Sequence, residues 1–459
     1  MQRAFFDRIA VKRERDIRRH RLYYVDRARW LKHLIPSDAS VIELGCGTGP
    51  TISGLSRTKK TGIDFSPEMI RIAEVTDPTT HYLVDDIEHL AHREAYDYVL
   101  LLDTINFLDD VQQGLRSVRR QLCHDRTRLV VTYYNFLWQP LFLLAQALRW
   151  KTRFPEQNWL GRGDIENLLA LTGFDVVQVG GRLLLPVGIP LLSTFVNRFL
   201  SSLPLLRSLC LVQYIIARPV AMDVRSYSVT VLSAVRNERG NIEKIASSLP
   251  DLGASTELLF VEGHSTDSTW EEIERVVSSY SGPIQIRGIQ QEGTGKADAL
   301  HCGARSSTGD IILIYDGDFT VNPSALQKVY DALVSGRAEF VNASRLVYPL
   351  ERGAMRVLNL LGNKFFSILF SWLFGQKLKD PLSPVKGFFR RDYTRMHSRM
   401  DPFGDFDFFL GAAKQQLQIR EVPVHYLPRS YGSTKIRRFH HAWLLFRMFL
   451  AGSRVLKWI

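Results

Sequence analysis

The sequence predicts an α/β protein of two domains, each built on a parallel sheet with helices on both faces. Three observations lead there. The 459 residues exceed what one hydrophobic core organises. Short apolar runs alternate with longer helical patterns, as in strand–crossover–strand units. The alternation is interrupted around Arg218-Pro219 through Ser226, which divides the chain into residues 1–220, a linker at 221–227 and residues 228–459.

Composition narrows the class. Apolar residues make up 45% and charged residues 23%, which excludes a disordered chain. Cys46, Cys123, Cys210 and Cys302 lie too far apart for a metal or redox motif, so a reducing, cytoplasmic setting is expected. The net charge of +12 admits polyphosphate ligands, anionic membrane or nucleic acid. Much of it sits in the first 33 residues and in Arg429–Arg438. The N-terminus has no apolar run of signal-peptide length. Leu183–Ala217 is the most apolar region, but Pro186, Pro190, Arg198, Pro204 and Arg207 interrupt it. It reads as core helices, not as a membrane span of about 20 residues.

In the first domain, strands are expected at Val41–Leu44, Lys60–Ile63, His81–Val84, Tyr98–Leu102, Arg128–Thr132 and Gln213–Ala217. The first runs into Gly45, Gly47 and Gly49 within VIELGCGTGP. Closely spaced glycines let backbone turn tightly and approach a ligand without a Cβ clash. Dinucleotide enzymes use a similar device, so the loop alone does not decide the ligand. Acids follow the next strands: Asp64 in TGIDFS, Asp85 and Asp86 in VDDIEHL, and Asp103 in LLLDTINFL. All would line the carboxyl edge of one sheet, where such folds bind ligands. Asp103 fits a helix N-cap equally well.

ELGCGTG, Asp64 and DDIEHL together resemble the class I S-adenosylmethionine-dependent methyltransferases, over roughly residues 20–220. The resemblance implies a Rossmann-like fold and S-adenosyl-L-methionine as cofactor. Glu43, Gly45, Gly47 and Gly49 would contact its methionine part, Asp64 its ribose, and Asp86 or Ile87 its adenine. No methyl-accepting site is legible.

In the second domain, strands are expected at Ser228–Ser233, Glu257–Val261, Ile284–Ile289, Ile311–Tyr315 and Glu339–Ala343. Polar loops follow four of them: Asn237-Glu238; then Glu262 with Ser265, Asp267 and Thr269; then Lys296 in GTGKAD; then Asp316-Gly317-Asp318. Residues i and i+2 of an extended chain share a face, so Asp316 and Asp318 would converge and repel without a cation between them. Oxygen donors of this kind suit Mg²⁺ or Mn²⁺, and a lysine suits phosphate. The set fits a nucleoside diphosphate held through a metal.

AVRNERGNI, VEGHSTDST, GKAD, DGD, NASR and IREVPVHYLPRSYGSTKI resemble successive motifs of the family 2 glycosyltransferases of GT-A fold, and among them the polyprenyl-phosphate mannosyl- and glucosyltransferases. The likeness covers about residues 228–440. It implies that Asn237, Glu238 and Glu262 bind the nucleoside of a nucleotide sugar. Lys296 and Arg345 would neutralise phosphate, and Asp316 and Asp318 would hold the metal. Arg429 and Lys435 would meet the diphosphate or an acceptor phosphate. The chain departs from the pattern at Ala234 and Arg236, at Gly263 in place of a second acid, and at Pro384.

Asp405 and Asp407 in FGDFDFF share one face if extended, and either could serve as general base or as a helix N-cap. The last segment carries His440, Arg447 and Arg454 at seven-residue spacing among aromatics. It fits a helix lying on anionic lipid, or one packed on the core with its arginines in water. The leading expectation is a bifunctional transferase. It moves a sugar from a nucleotide sugar to a lipid-phosphate or glycan acceptor and methylates a related intermediate, peripheral to the inner face of the plasma membrane. The competing one is an RNA- or small-molecule methyltransferase with a non-catalytic glycosyltransferase-like module. No RNA-binding motif is present, so nucleic acid is not the expected partner.

Overall fold

The structure, a computed structural model, describes residues 2–56, 59–147, 158, 160–220, 225–347, 357–396, 404–428, 431 and 438–458. It divides into two units, residues 1–220 with 457–459, and residues 221–456.

The first unit holds β1 (Val41–Leu44), β2 (Lys60–Asp64), β3 (His81–Val84), β4 (Tyr96–Leu102), β5 (Cys123–Tyr134), β6 (Phe174–Arg182) and β7 (Val212–Pro219). Their order is β3-β2-β1-β4-β5-β7-β6. Strands β1 to β5 pair in parallel. β7 lies antiparallel to both β5 and β6, so the sheet is mixed and not all-parallel as expected. Adjacent residues of β1 face opposite sides: Ile42 and Leu44 join one buried cluster and Val41 the other. A sheet covered on both faces explains why its central strands are apolar without alternation.

The basic N-terminal stretch forms two helices, Gln2–Arg19 and Arg21–Leu34, anchored by buried Trp30 and Leu31. Ser66 caps the helix Pro67–Thr76 by accepting from the Met69 N–H at 3.2 Å, and Pro67 supplies its first position. Asp103 is not a cap. It adopts φ +59° and donates its N–H to the Thr132 carbonyl at 3.0 Å. The 183–211 segment also departs from expectation. It is not a set of core helices, because Leu191 and Leu205 are 88% and 85% exposed.

The second unit holds β8 (Ser228–Val235), β9 (Ser255–Glu262), β10 (Gln285–Gln290), β11 (Ile311–Tyr315), β12 (Phe340–Ser344), β13 (Val385–Phe389) and β14 (Ile419–Pro423), in the order β10-β9-β8-β11-β13-β12-β14. Here too the sheet is mixed. β13 runs antiparallel between β11 and β12, and the other pairings are parallel. The helix Arg438–Leu456 packs one face on the core. Leu445, Met448 and Phe449 are buried in the core cluster, and the Phe449 ring lies 5.6 Å from Trp372. Each such side chain contributes about 1.5–3 kcal/mol. Trp443 of that helix remains exposed. Among the described residues, no helix is long and apolar enough to cross a membrane.

Candidate active sites

In both units the first strand of the chain order lies centrally, with its second and fourth neighbours on either side: β2-β1-β4 in one, β9-β8-β11 in the other. The chain leaves β1 and β4, or β8 and β11, in opposite directions. The crevice beyond their carboxyl ends is the switch point where open α/β sheets take ligands.

In the first unit, Gly45, Gly47 and Gly49 adopt φ of +71°, +55° and +77°, the left-handed region that glycine enters without strain. A Cβ on Gly45 would lie 2.5 Å from Thr104 Oγ1 and Cγ2. Thr104 is itself fixed by donating to the Leu44 carbonyl at 3.0 Å. At Gly47 a Cβ would meet nothing within 4 Å. This is the open floor of a cavity of about 1530 Å³. Asp64, at the end of β2, accepts from the Gly47 N–H at 2.8 Å and the Ser66 N–H at 2.9 Å. Burial pushes its carboxyl above the ordinary value. Burial pushes Glu43 up to about 7, although it accepts from the Ile52 N–H at 3.0 Å. Asp85 accepts from the Ala91 and His92 N–H groups, and Asp86 opens the turn Ile87–His89 by accepting from the Glu88 N–H at 2.9 Å.

Glu43, Gly45, Gly47, Asp64 and Asp86 all line the cavity. Gly49 is not among its lining residues; its Cβ direction is filled by the Tyr82 ring. Sequence reasoning missed Tyr23 and Arg27. The Tyr23 hydroxyl donates to Asp103, and Arg27 reaches Asp103 at 3.3 Å and also Thr51. Their only signal was a tyrosine and an arginine at i, i+4 in a stretch noted for charge alone. The cradle at Gly47, the buried acids and the cavity size fit a nucleoside carrying an amino-acid arm.

In the second unit, Asn237 adopts φ +52° after β8 and ties two loops together. Its N–H donates to Ser265 Oγ at 2.9 Å, and its Oδ1 accepts from the Thr266 N–H at 2.8 Å. Buried Glu238 accepts from Asn241 Nδ2 at 2.7 Å, and its N–H donates to Thr269 Oγ1 at 3.1 Å. Buried Glu262 closes β9 and accepts from the Ser265 N–H at 2.5 Å. Lys296 lies 2.8 Å from Asp316, so the loops after β10 and β11 also meet.

Asp316-Gly317-Asp318 is not an extension of β11. The strand ends at Tyr315 and the motif enters a turn, with Phe319 at φ +54°. A side chain at Gly317 would strike Val235 at 2.5 Å. The Asp316 N–H donates to the Pro384 carbonyl at 3.2 Å, and Asp318 accepts from Thr320 Oγ1 at 2.8 Å. Among the described residues, no group of three or more His, Cys, Asp or Glu side chains gathers for a metal. The donor set at this turn is all carboxylate oxygen, with the Lys296 ammonium already against Asp316, so the position accommodates positive charge.

Arg345 is buried. Its Nε and Nη2 pair with the two carboxylate oxygens of Asp380, each at 2.8 Å, and its guanidinium lies 5.0 Å from the Tyr426 ring centroid. Asp316 is among the charges that raise its pKa. At Gly263, the family's missing acid, a Cβ would make only ordinary contacts of 3.4 Å or more. Asp405 and Asp407 lie in the helix Asp405–Lys414, not in an extended strand, so they do not share a face. Asp407 is buried with His301 Nε2 at 3.5 Å. The Asp405 side chain, Arg429 and Lys435 lie outside the described residues.

Two α/β units, each with acidic loops gathered at the switch point of its sheet, define a chain of two small-molecule binding domains. Residues 13–179 match the Methyltransferase domain family, and residues 230–400 match Glycosyl transferase family 2. The chain joins a methyltransferase domain to a family 2 glycosyltransferase domain. It is similar to Glycosyltransferase AglJ of Haloferax volcanii, 29% identical over 45% of this chain and 65% of that protein. It is also similar to the Dolichol-phosphate mannosyltransferase of Pyrococcus furiosus, 25% identical over 46% of this chain and 59% of that protein. It is similar as well to a Malonyl-[acyl-carrier protein] O-methyltransferase of Bacillus cereus, 31% identical over 27% of this chain and 48% of that protein. The chain spans about half to two thirds of the length of these relatives.

Proposed function

We propose that the chain is a bifunctional transferase. Its second unit moves a sugar from a nucleotide sugar to a lipid-phosphate or glycan acceptor, and its first methylates a related intermediate. The observation that carries this is the shared strand order, which sets glycine- or acid-bearing loops beyond the carboxyl ends of the central strands in both units. The likeness to a dolichol-phosphate mannosyltransferase supports a lipid-phosphate acceptor.

In the second unit, Asn237, Glu238 and Glu262 hold the nucleoside. Asp316 and Asp318 would hold Mg²⁺ or Mn²⁺, which would supply charge stabilisation for the leaving diphosphate. Lys296 swings from Asp316 to a phosphate oxygen as the donor enters. Arg345 stays on Asp380 as a fixed positive charge near Asp316. Asp407, beside His301, orients the acceptor or takes its proton. In the first unit, Asp64 accepts from the ribose diol, Glu43 and the loop Gly45–Gly49 hold the methionine arm, and Asp86 and Ile87 border the adenine. S-adenosyl-L-methionine bound there supplies the methyl group. The setting is cytoplasmic and peripheral to the membrane.

The test is nucleoside diphosphate release from a panel of UDP- and GDP-sugars, with Mn²⁺ or Mg²⁺, with and without polyprenyl phosphate. Release from one donor, dependent on metal and reduced at least a hundredfold in Asp318→Ala, is expected. Stimulation by the lipid assigns the acceptor class. No turnover from any donor, with S-adenosylmethionine still bound, would remove the sugar-transfer half of the proposal.

A further inference from the structure

The surface beside the first cavity is apolar and almost free of charge. Between Asn135 and Ala147 the chain carries no charged residue, and between Leu183 and Leu211 it carries no acid and only Arg198 and Arg207. Leu183 and Leu211 are buried in a small cluster with Trp138 and Phe142, but much of the remaining apolar surface of both segments is exposed. Phe136, Leu141, Val187 and Phe195 are all more than half exposed, and Leu191 and Leu205 are almost fully so.

The two segments are joined. Asn135 Nδ2 donates to the Ser208 carbonyl at 2.7 Å, and Trp138 Nε1 donates to the Leu209 carbonyl at 2.9 Å. Within the second, Asn197 exchanges two bonds of 2.8 Å with Leu185 and so fixes the loop that presents Val187 and Leu191. This exposure is therefore held in place by a hydrogen-bonded frame. Leu191 also stands at φ +62°, a conformation unfavourable for a leucine.

The patch is continuous with the mouth of the cavity. Phe142, Pro186 and Gly188 line the cavity and alternate in sequence with the exposed residues. The arginines that line the cavity all come from residues 3–27, and of these Arg3, Arg19 and Arg21 are exposed. The acids of the cavity lie elsewhere: all but Asp16 come from positions 43–109, on the strands and following loops that form the cofactor end. Contiguous exposed apolar surface marks an interaction site. Apolar side chains bordered by five arginines, with Asp16 the one cavity-lining acid from the same stretch, match a surface that is hydrocarbon beneath a negative headgroup layer.

We propose that this face docks on an anionic lipid bilayer, and that docking presents the cavity to a methyl acceptor held at that surface. The docking stands on the patch and the arginines alone; the acceptor statement rests on the methyltransferase reading of the cavity. The surface is distinct from the C-terminal helix that sequence suggested for membrane contact, whose Leu445, Met448 and Phe449 pack on the core.

The test is sedimentation of the full chain with phosphatidylcholine vesicles, with and without phosphatidylglycerol, at low and high salt. Binding to the anionic vesicles, weakened by salt, is expected. Leu191→Glu/Leu205→Glu and, separately, Arg19→Glu/Arg21→Glu should each weaken it at least tenfold. Both pairs are exposed, and unchanged unfolding curves confirm that the variants fold. S-adenosylmethionine binding, measured in parallel, should be unaffected in Leu191→Glu/Leu205→Glu, neither of which lines the cavity. Equal binding to neutral and anionic vesicles, or variants that bind like the parent, would overturn the proposal. So would a dimer in solution that Leu191→Glu/Leu205→Glu dissociates, because the patch would then be covered by a second copy. Loss of cofactor binding in the parent would instead count against the methyltransferase reading and leave the docking result standing.

Discussion

Asp380→Asn tests whether the buried pair beside the second site is a matched charge or simple packing. Asp380 is fully buried. Its carboxylate accepts from the Arg345 main-chain N–H at 2.9 Å, from Arg345 Nε and Nη2 at 2.8 Å, and from Asn363 Nδ2 at 2.7 Å. The amide keeps the shape but turns one acceptor into a donor and leaves Arg345 charged in a dry site. Uncompensated buried charge of this kind costs about 3–5 kcal/mol. For a unit of this size each kcal/mol moves the midpoint by about 2–4 °C, so a drop of roughly 6–20 °C is expected. Circular dichroism during thermal and denaturant unfolding reads it. Burial alone would raise the Asp380 pKa, but Arg345 and the hydrogen bonds hold it below the ordinary value. The stability it contributes is thus present above the ordinary aspartate pKa of about 3.9 and lost as pH falls below it through the folded value. The double variant Arg345→Met/Asp380→Leu removes both charges and should recover much of the loss. A loss below about 1 kcal/mol in Asp380→Asn would refute the reasoning, as would a double variant no better than the single.

Three further outcomes follow from the sites. Gly45→Ala places a methyl 2.5 Å from Thr104 at φ +71°, and should weaken S-adenosylmethionine at least tenfold by calorimetry; an unchanged Kd would remove the loop from the cofactor site. Glu43, pushed by burial up to about 7, binds its proton more tightly folded than unfolded. The stability that protonated Glu43 contributes to the first unit is therefore fully present below about pH 4.5 and falls by up to about 3 kcal/mol as pH rises through 7. Glu43→Gln should flatten that slope, and a slope that persists would assign it to another group. Lys296→Met removes the cation 2.8 Å from Asp316 and should raise the KM for the nucleotide sugar roughly ten- to hundredfold, the range for a charged hydrogen bond; a KM within twofold of the parent argues that Lys296 never leaves Asp316.

What the sequence revealed and what it hid divide along one physical line. The central strands and their loops were legible because they are continuous apolar runs broken by residues with unusual backbone demands. VIEL followed by three left-handed glycines, and IILIY followed by DGD, announce themselves locally. The antiparallel additions did not. β13 reads VKGFF, with a lysine and a glycine at its centre. Lys386 is nonetheless fully buried, its ammonium donating to the Ser383 carbonyl, and Gly387 is needed because a Cβ would strike Leu313 and Val329 at 2.7 Å. Those reasons depend on partners far along the chain. β6 carries Gly180-Gly181 near its end for a similar reason: side chains there would collide with Tyr214 and the Arg207 carbonyl. The Asp380 partner of Arg345 was hidden because their pairing spans 35 positions. The extended geometry assumed for Asp316/Asp318 and for Asp405/Asp407 failed because a turn and a helix, respectively, begin where the strand pattern was carried on.

The two units show how far one topology constrains chemistry and where it stops. The order β3-β2-β1-β4 and its counterpart β10-β9-β8-β11 place loops identically about a switch point. In the first unit β1 and β2 themselves present Glu43 and Asp64, and the loops after β3 and β4 present Asp85, Asp86 and Asp103. The nearest cation, Arg27, comes from a helix that precedes the sheet. Acids alone at the strand ends suit a diol, an ammonium and a sulfonium. In the second unit Lys296 stands among the acids and touches Asp316. A lysine there would repel a sulfonium and attract a diphosphate. Exchanging that single charge should therefore damage the sugar site without creating a methyl site, because the left-handed glycines that open the first cavity have no counterpart at Val235-Arg236. The sheet decides where a ligand sits, and the charge and the backbone freedom of the loops decide which ligand it is.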